Sequence, residues 1–537
     1  MQDTDYIIVG AGSAGCALAS RLTENGRHRV RVLGAGGPAR RFFVQMPLGC
    51  GKLFYTPAVN WMYSAEPDPG LNHQRDHIPR GRILGGSSSI NAMVWIRGHR
   101  AEYDEWGAEN PGRGWDEALA AYRQIEDNEA GGNDWRGTGG PLFISRNRKG
   151  LHWLVEDYIA ACAEAGLPYN DDFNGAGQEG AGTYQMTIRG RRRNSAARAF
   201  LRPAMRRKNL TVVTGAQVTR VILEGNRAVG VEYLRDGRPC ILRARAEVIL
   251  SGGAINTPQL LQLSGIGPGE LLQSMGIPVA VENANVGAHM TDHHGINYTW
   301  KMKVPTYNNI LRPWFGKALM GLWYLALGGG PLAKSINHGG GFFRTRPDLD
   351  RPNMQLYMQA FSTLLPRAGE RPLLTPDPFP GLSLGLSNCR PTSRGHVRIA
   401  SPDPLAHPRI VANAYSTAED VEEMLLAVKF LRRIAAQPSF ARWVEEELRP
   451  GPQVQSDEDL IDDFRQRSGT VYHPSCTARM GADPATSVID SRLRVHGVDG
   501  LRVADASSFP NLIAGNTNAP AIMVGWKGGE IVLRDAR

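Results

Sequence analysis

The sequence predicts an α/β chain: a Rossmann-like dinucleotide-binding domain interleaved with a second, α+β domain built on an antiparallel sheet. Three observations predict it. An apolar run at residues 6–9 leads into Gly10, Gly12 and Gly15, the spacing of a phosphate-binding turn between strand and helix. Strand-like runs crowd residues 210–250, the middle ones alternating and separated by Gly225-Asn226 and Asp236-Gly237, which are hairpin signals. The tail then returns to the texture of the opening, with a strand over 501–505 that ends in Asp505 and a closing helix over about 519–535.

Each element has its own reason. Residues 6–9 read as a buried parallel strand. Gly10 allows the tight turn after it, Gly12 lets a pyrophosphate approach the backbone, and Gly15 lets the following helix (13–24) pack on the strand. The N–H groups and dipole of that helix favour phosphate. A second strand over 29–33 ends at Gly34, where an acid is expected to hold the adenosine ribose hydroxyls. A helix opening at Pro258 covers 257–263. Residues 291–466 hold aromatics, Gly-Gly-Gly and proline-rich loops; they predict a strand pair at 382–387 and 396–400 and a helix over 417–436.

The bulk numbers narrow the function. With 537 residues, 42% of them hydrophobic and 21% charged, the chain can bury the core of a large enzyme. The net charge of +9 is spread out, with one dense run at 189–193. That run reads first as a solvated loop, with contact to anionic lipid or an acidic partner as the alternative. No zinc-finger spacing or nucleic-acid module accompanies it, so nucleic acid is not an expected partner. Six cysteines without a C-x-x-C pair read as free thiols in a reducing, cytoplasmic setting. The first strand begins by residue 5, leaving no room for a signal peptide, and no apolar run reaches the length of a membrane span. The nearest is 314–327, read first as a buried helix. Its alternatives are an apolar channel wall or an interfacial helix giving peripheral contact with the inner membrane. No metal-ligand motif is present.

Four further segments carry chemistry: 81–98, with Gly85-Gly86-Ser87 and Asn91; 252–267; Val471-Tyr472-His473-Pro474; and 515–520, with Asn516. Together with the opening fingerprint they resemble the glucose–methanol–choline family of FAD-dependent oxidoreductases, in particular its choline-dehydrogenase-like and alcohol dehydrogenase branch. The resemblance implies an FAD-binding domain from 1–155, 188–290 and 467–537, and a substrate domain from 156–187 and 291–466. It places the pyrophosphate and ribose against Gly10, Gly12, Ser13, Ala14, Gly15, Gly34 and Ala35. Gly85, Gly86 and Ser87 follow along the cofactor, Asn91, Ala92, Met93 and Val94 line the isoalloxazine, and Val218 offers backbone to the adenine. Asp505 would hold the ribityl chain, with Tyr472, Thr517 and Asn518 also on the cofactor side. Ile90 stands where some relatives carry the histidine that attaches FAD, so the flavin is expected to be non-covalent.

By the same resemblance His473 is the catalytic base, faced by Asn516. Alcohol oxidation needs such a pair, because the hydroxyl proton must leave as the α-carbon hydride moves to flavin N5. An imidazole accepts the proton and a neutral amide orients the hydroxyl. The expected reaction is oxidation of a primary alcohol, apolar by the character of 314–327, to its aldehyde. Electrons then pass to a quinone or other acceptor, with an oxidase using oxygen as the close alternative. A hydroxynitrile-lyase-type activity or a non-catalytic flavin scaffold are readings of a different class. His293, His294, His289 and His338 are expected to be structural, and Cys476 an inert buried thiol. The chain departs from the family at Gly34 (usually Glu), at Trp526 (usually an acid) and over 475–481. The missing carboxylate predicts weaker FAD binding.

Overall fold

The computed structural model describes residues 4–363 and 375–536. Five parallel strands, β1 (Tyr6–Val9), β2 (Val30–Gly34), β3 (Leu210–Thr214), β4 (Glu247–Leu250) and β5 (Leu501–Val503), lie in the order β3-β2-β1-β4-β5. β1 and β5 are buried at every residue, as a strand covered on both faces requires. Val9 pairs with Leu33 and Leu250, and Leu250 with Val503, so the central strands finish level. That is the edge above which an open α/β sheet binds its ligand.

Helix α1 (Ser13–Leu22) follows β1, and α2 (Gly253–Leu263) follows β4. α2 opens before Pro258 rather than at it. Proline has no N–H for the carbonyl four residues back; that carbonyl, on Ala254, accepts instead from the Thr477 hydroxyl at 2.7 Å. Strands Ala216–Glu224, Arg227–Arg235 and Arg238–Arg243 form the expected meander. Asp236 and Gly237 both take positive φ (51° and 75°), as a type I′ turn demands.

The second sheet is antiparallel. Its strands run in the order Val444–Arg449, His294–Met302, Gly381–Asn388, Met354–Gln359, Gly339–Phe343 and Gly180–Thr183, with Gly469–Thr470 beside the start of His294–Met302. The predicted strand pair is corrected here. Gly381–Asn388 lies inside this sheet, whereas His396–Arg398 pairs with Arg409–Val411 in a separate ribbon. Both runs are strands, but their partners are set by distant segments that no local pattern names.

Helix α3 (Trp314–Leu327) overturns the buried reading of that stretch. Only Gly316, Met320 and Tyr324 are buried, while Trp314 is 80% and Leu327 79% exposed. Helix α4 (Ala418–Ala435), capped by the Thr417 hydroxyl, turns Met424, Ala427, Val428, Leu431 and Ile434 inward against Gly381–Asn388. The closing helix α5 (Asn518–Asp535) packs along α1. A Cβ on Gly525 would run into the Ala14 carbonyl, so glycine sets how closely the two helices approach.

The basic run is not a solvated loop either. It forms a hairpin, Ile188–Arg189 with Arg192–Arg193, and Arg193 is buried. Its guanidinium donates to the carbonyls of Val44, Ser88 and Asn91 and to Asn91 Oδ1. Arg191 donates to the Tyr324 and Leu325 carbonyls at the end of α3.

Candidate active site

A cavity of about 980 Å³ opens above the level ends of β1, β2 and β4 and reaches the second sheet. The first turns of α1, α2 and α5 all contribute to its wall, through Gly12 and Ser13, Gly252 and Gly253, and Thr517 and Asn518. Three helix N-termini therefore turn the positive ends of their dipoles to one space, although the Gly252 and Gly253 N–H groups of α2 are already engaged by Thr257 and Asp505. Ser13 Oγ donates to Asn518 Oδ1 at 2.8 Å and ties α1 to α5 there.

The three fingerprint glycines differ in what surrounds them. Gly10 has φ +108° and a Cβ on it would strike the Ser251 carbonyl. A Cβ on Gly15 would strike the Gly10 carbonyl, so Gly15 serves helix–strand packing and lies behind the wall. At Gly12 a Cβ would meet no protein atom nearer than 3.8 Å. Nothing in the protein excludes a side chain at Gly12; a pyrophosphate lying against it would. The residues present thus fit FAD.

The other sequence-assigned cofactor residues mostly line the same cavity: Ala14, Gly34, Ala35, Gly86, Ser87, Asn91, Ala92, Met93, Val94, Val218, Tyr472, Asp505 and Thr517. Gly85 stands behind the wall with Gly15; at φ +88° it turns the chain, and its N–H donates to the Ala11 carbonyl at 2.7 Å. Gly34 is the last residue of β2 and is buried. A β-bulge follows Val218 and interrupts its ladder with the next strand. Asp505 is heavily committed to protein. Oδ2 accepts from Gly253 N–H at 2.8 Å and Thr257 Oγ1 at 2.7 Å, while Oδ1 accepts from Ser507. Trp526 is remote from the cavity, stacking under Arg21 and donating to Gln124. Cys476 is buried off the cavity, and burial raises its thiol pKa, the state of an unreactive cysteine.

His473 and Asn516, 43 residues apart, meet in the cavity wall, with Asn516 Nδ2 3.2 Å from His473 Nε2. Two segments brace the histidine. Thr291 and Ser475 exchange backbone hydrogen bonds, and Val471 N–H donates to the His293 carbonyl. Asp292 accepts from the His473 N–H at 2.8 Å and from the Thr470 hydroxyl. Tyr472 pays no glycine-like freedom yet sits at φ +74°, a strained turn that aims His473 inward.

His293, expected to be structural, contacts His473 directly. Its Nε2 lies 3.0 Å from the Cys389 carbonyl, which can only accept, so Nε2 carries the proton. Its Nδ1 is then a bare acceptor, and His473 Nδ1, 2.9 Å away, must be the donor. The lone pair of His473 is left on Nε2, facing the cavity beside Asn516. Gln355 Nε2 donates to Asn516 Oδ1 at 3.2 Å, which fixes the amide with its NH₂ toward the histidine. The only sequence signal for this relay is Thr291-Asp292-His293-His294, and nothing in its spacing points to residue 473.

Electrostatics keep the His473 ring neutral. Burial pushes the His473 pKa well below its ordinary 6.5, helped by neighbouring His293 and by Arg80, whose guanidinium donates to the Tyr472 carbonyl. Burial takes His293 down to about 3. The acid limb of the flavin-reduction profile should therefore lie below pH 6.5, with a plateau above it; a stopped-flow pH series checks this. Stability follows the same sign. The folded chain refuses a proton that unfolded histidine takes at 6.5, so the stability present above pH 6.5 is progressively lost as pH falls toward 3.

His293→Leu should slow flavin reduction about 10- to 100-fold by freeing the His473 ring to misorient. His293→Asn, which keeps an acceptor, should recover part of that loss. Equal rates for both variants would leave His293 a packing residue.

The GMC oxidoreductase N-terminal family model matches residues 4–295 and the C-terminal one residues 391–525. Over 537 residues the chain is 40% identical to the alcohol dehydrogenase [acceptor] of Pseudomonas putida, covering 99% of this chain and 96% of that protein. It is 40% identical to the mitochondrial choline dehydrogenase of Mus musculus, covering 98% and 89%. Among solved structures, pyridoxine 4-oxidase from Mesorbium loti superposes with TM-score 0.89 at 30% identity, covering 99% of each chain. A formate oxidase does so with TM-score 0.92 at 25% identity, covering 100% of this chain and 99% of that one.

Proposed function

This chain belongs to the GMC oxidoreductases, and on that premise we propose that it oxidises an uncharged primary alcohol to its aldehyde. The observation that carries the proposal is the neutral His473, its Nε2 lone pair fixed toward the cavity and flanked by the Asn516 amide. FAD, when bound, would take the hydride from the carbinol carbon. His473 Nε2 takes the hydroxyl proton, so the C–O bond gains its second bond as hydride and proton depart. Asn516 Nδ2 is placed to hydrogen-bond the oxygen as negative charge develops on it. The His473 imidazolium that forms is short-lived, since burial and Arg80 disfavour it and return the proton to solvent.

The substrate class follows from charge. Among the described residues, Lys52, Arg80, Arg82, Lys317 and Arg467 line the cavity, and Asp505, already engaged by Thr257, Gly253 and Ser507, is the one acid that does. Aromatic faces that could hold a cation are partly taken, with Arg82 over Trp61 and Lys52 over Phe43. A permanent cation such as choline is therefore disfavoured, although relatives carry that name. An uncharged alcohol meets no such penalty.

The acceptor is proposed to be a quinone. Holoenzyme reduced anaerobically by alcohol should reoxidise promptly on adding a soluble quinone and slowly in air. Prompt reoxidation in air would make the protein an oxidase.

A further inference from the structure

The apolar character of α3 serves neither the core nor the catalytic relay. Of its buried stripe, Gly316, Met320 and Tyr324, Tyr324 packs with Met46 and Ala333. The rest faces outward, with Trp314, Phe315, Leu319, Leu322, Leu325 and Leu327 all exposed. Phe42 and Phe43 extend the patch, Phe42 meeting Tyr324 edge-on at 6.0 Å. A contiguous exposed surface of this kind marks an interaction site. Among the described residues no helix is long and apolar enough to cross a membrane. α3 itself, about 21 Å long at 1.5 Å per residue, would lie in a surface rather than span it.

Charge identifies the occupant. Three segments build the patch, 36–56, 188–208 and 303–334, and none contains Asp or Glu. Arg189, Arg192, Arg198 and Arg202 cluster beside Tyr324. Arg40, Arg41, Arg312, Lys317 and Lys52 stand around it, mostly exposed. A second copy docked on the same face would set arginines against arginines, with no acid in those three segments to offset them. A bilayer with anionic headgroups supplies both missing complements, hydrocarbon for the leucines and tryptophans and phosphate for the arginines.

We propose that α3, Phe42–Phe43 and the 189–192 hairpin form a monotopic docking surface for an anionic lipid bilayer. Lys317 and Gly321 of α3, with Phe42, Phe43, Leu311 and Leu332, also line the catalytic cavity. The docked face therefore brings the cavity mouth to the lipid, where apolar alcohols concentrate. This second step rests on the proposed alcohol oxidation; the docking itself does not.

The test is co-sedimentation of holoenzyme with phosphatidylglycerol–phosphatidylcholine vesicles and with pure phosphatidylcholine vesicles. The wild type should pellet with the first and stay largely in solution with the second. Leu319→Glu/Leu322→Glu should weaken lipid partition at least about tenfold, and Arg189→Glu/Arg192→Glu should abolish the preference for phosphatidylglycerol. Both variants should keep wild-type flavin reduction by a short, water-soluble alcohol, showing an intact fold and site; if all three proteins lack that activity, the reaction assignment fails while the docking result stands. Wild type that pellets with neither vesicle overturns docking. So does a wild-type dimer in sedimentation velocity that Leu319→Glu/Leu322→Glu returns to monomer, because the face then belongs to a second copy.

Discussion

His473→Ala should slow anaerobic flavin reduction by at least about 100-fold at neutral pH while FAD stays bound. The size of the effect follows from what surrounds the ring. His473 Nε2 is the lone pair that the relay through His293 and Cys389 leaves facing the cavity. His293 cannot replace it, because its own Nδ1 faces His473 and its Nε2 faces a carbonyl. Asn516 offers its NH₂ on that side, a donor and not a base. The variant also leaves His293 Nδ1 without a donor, so a modest loss of thermal stability should accompany the loss of rate, about 1–3 kcal/mol for one orphaned buried group. His473→Asn should bring back stability without bringing back rate. Near-normal flavin reduction in either variant would remove His473 from the chemistry.

Gly34→Glu should tighten FAD binding about 10- to 100-fold, the worth of a charged hydrogen bond of about 1.5–3 kcal/mol to the ribose hydroxyls. Gly34 ends β2, lines the cavity and has ordinary backbone geometry, so an L side chain meets no conformational barrier there. The crowding is mild: a Cβ would stand 3.2 Å from the Ala11 Cβ, and a shift of a few tenths of an ångström relieves it. Gly34→Ala measures that crowding alone, and Gly34→Gln separates hydrogen bonding from charge. Dissociation constants for FAD titrated into apoprotein should follow Glu, then Gln, then Ala. Glutamate no better than alanine would mean that the ribose is held by other groups.

What the sequence made legible depended on whether the cause was local. Gly10, Gly12 and Gly15 act within one strand, turn and helix, so their spacing, with a strand before it and a helix after, predicted the parallel sheet. Asp236-Gly237 is equally local and gave its hairpin. His473 and Asn516 were reached only through resemblance, since residues 43 apart carry no periodic link. His293 was passed over because its partnership arises where 291–293 lies along 471–475, a tertiary pairing without a repeat. Gly381–Asn388 was readable as a strand, but its neighbours in the sheet were not, because register between distant strands is set by the whole core. α3 shows the opposite failure. An all-round apolar helix reads as buried, and only the placement of its neighbours reveals that most of it faces outward. Arg193 was hidden among exposed arginines, although it is the one that clamps Asn91 and Ser88 from inside.

The reaction proposed for this cavity is oxidation of an uncharged alcohol. Rapid anaerobic mixing of the holoenzyme with a medium-chain primary alkanol, and separately with choline, tests it most directly. The alkanol should bleach the flavin absorbance, with appearance of one equivalent of aldehyde, and choline should bleach it little or not at all. Bleaching by choline alone would contradict the charge argument, and an unbleached flavin with every alcohol would contradict the reaction itself.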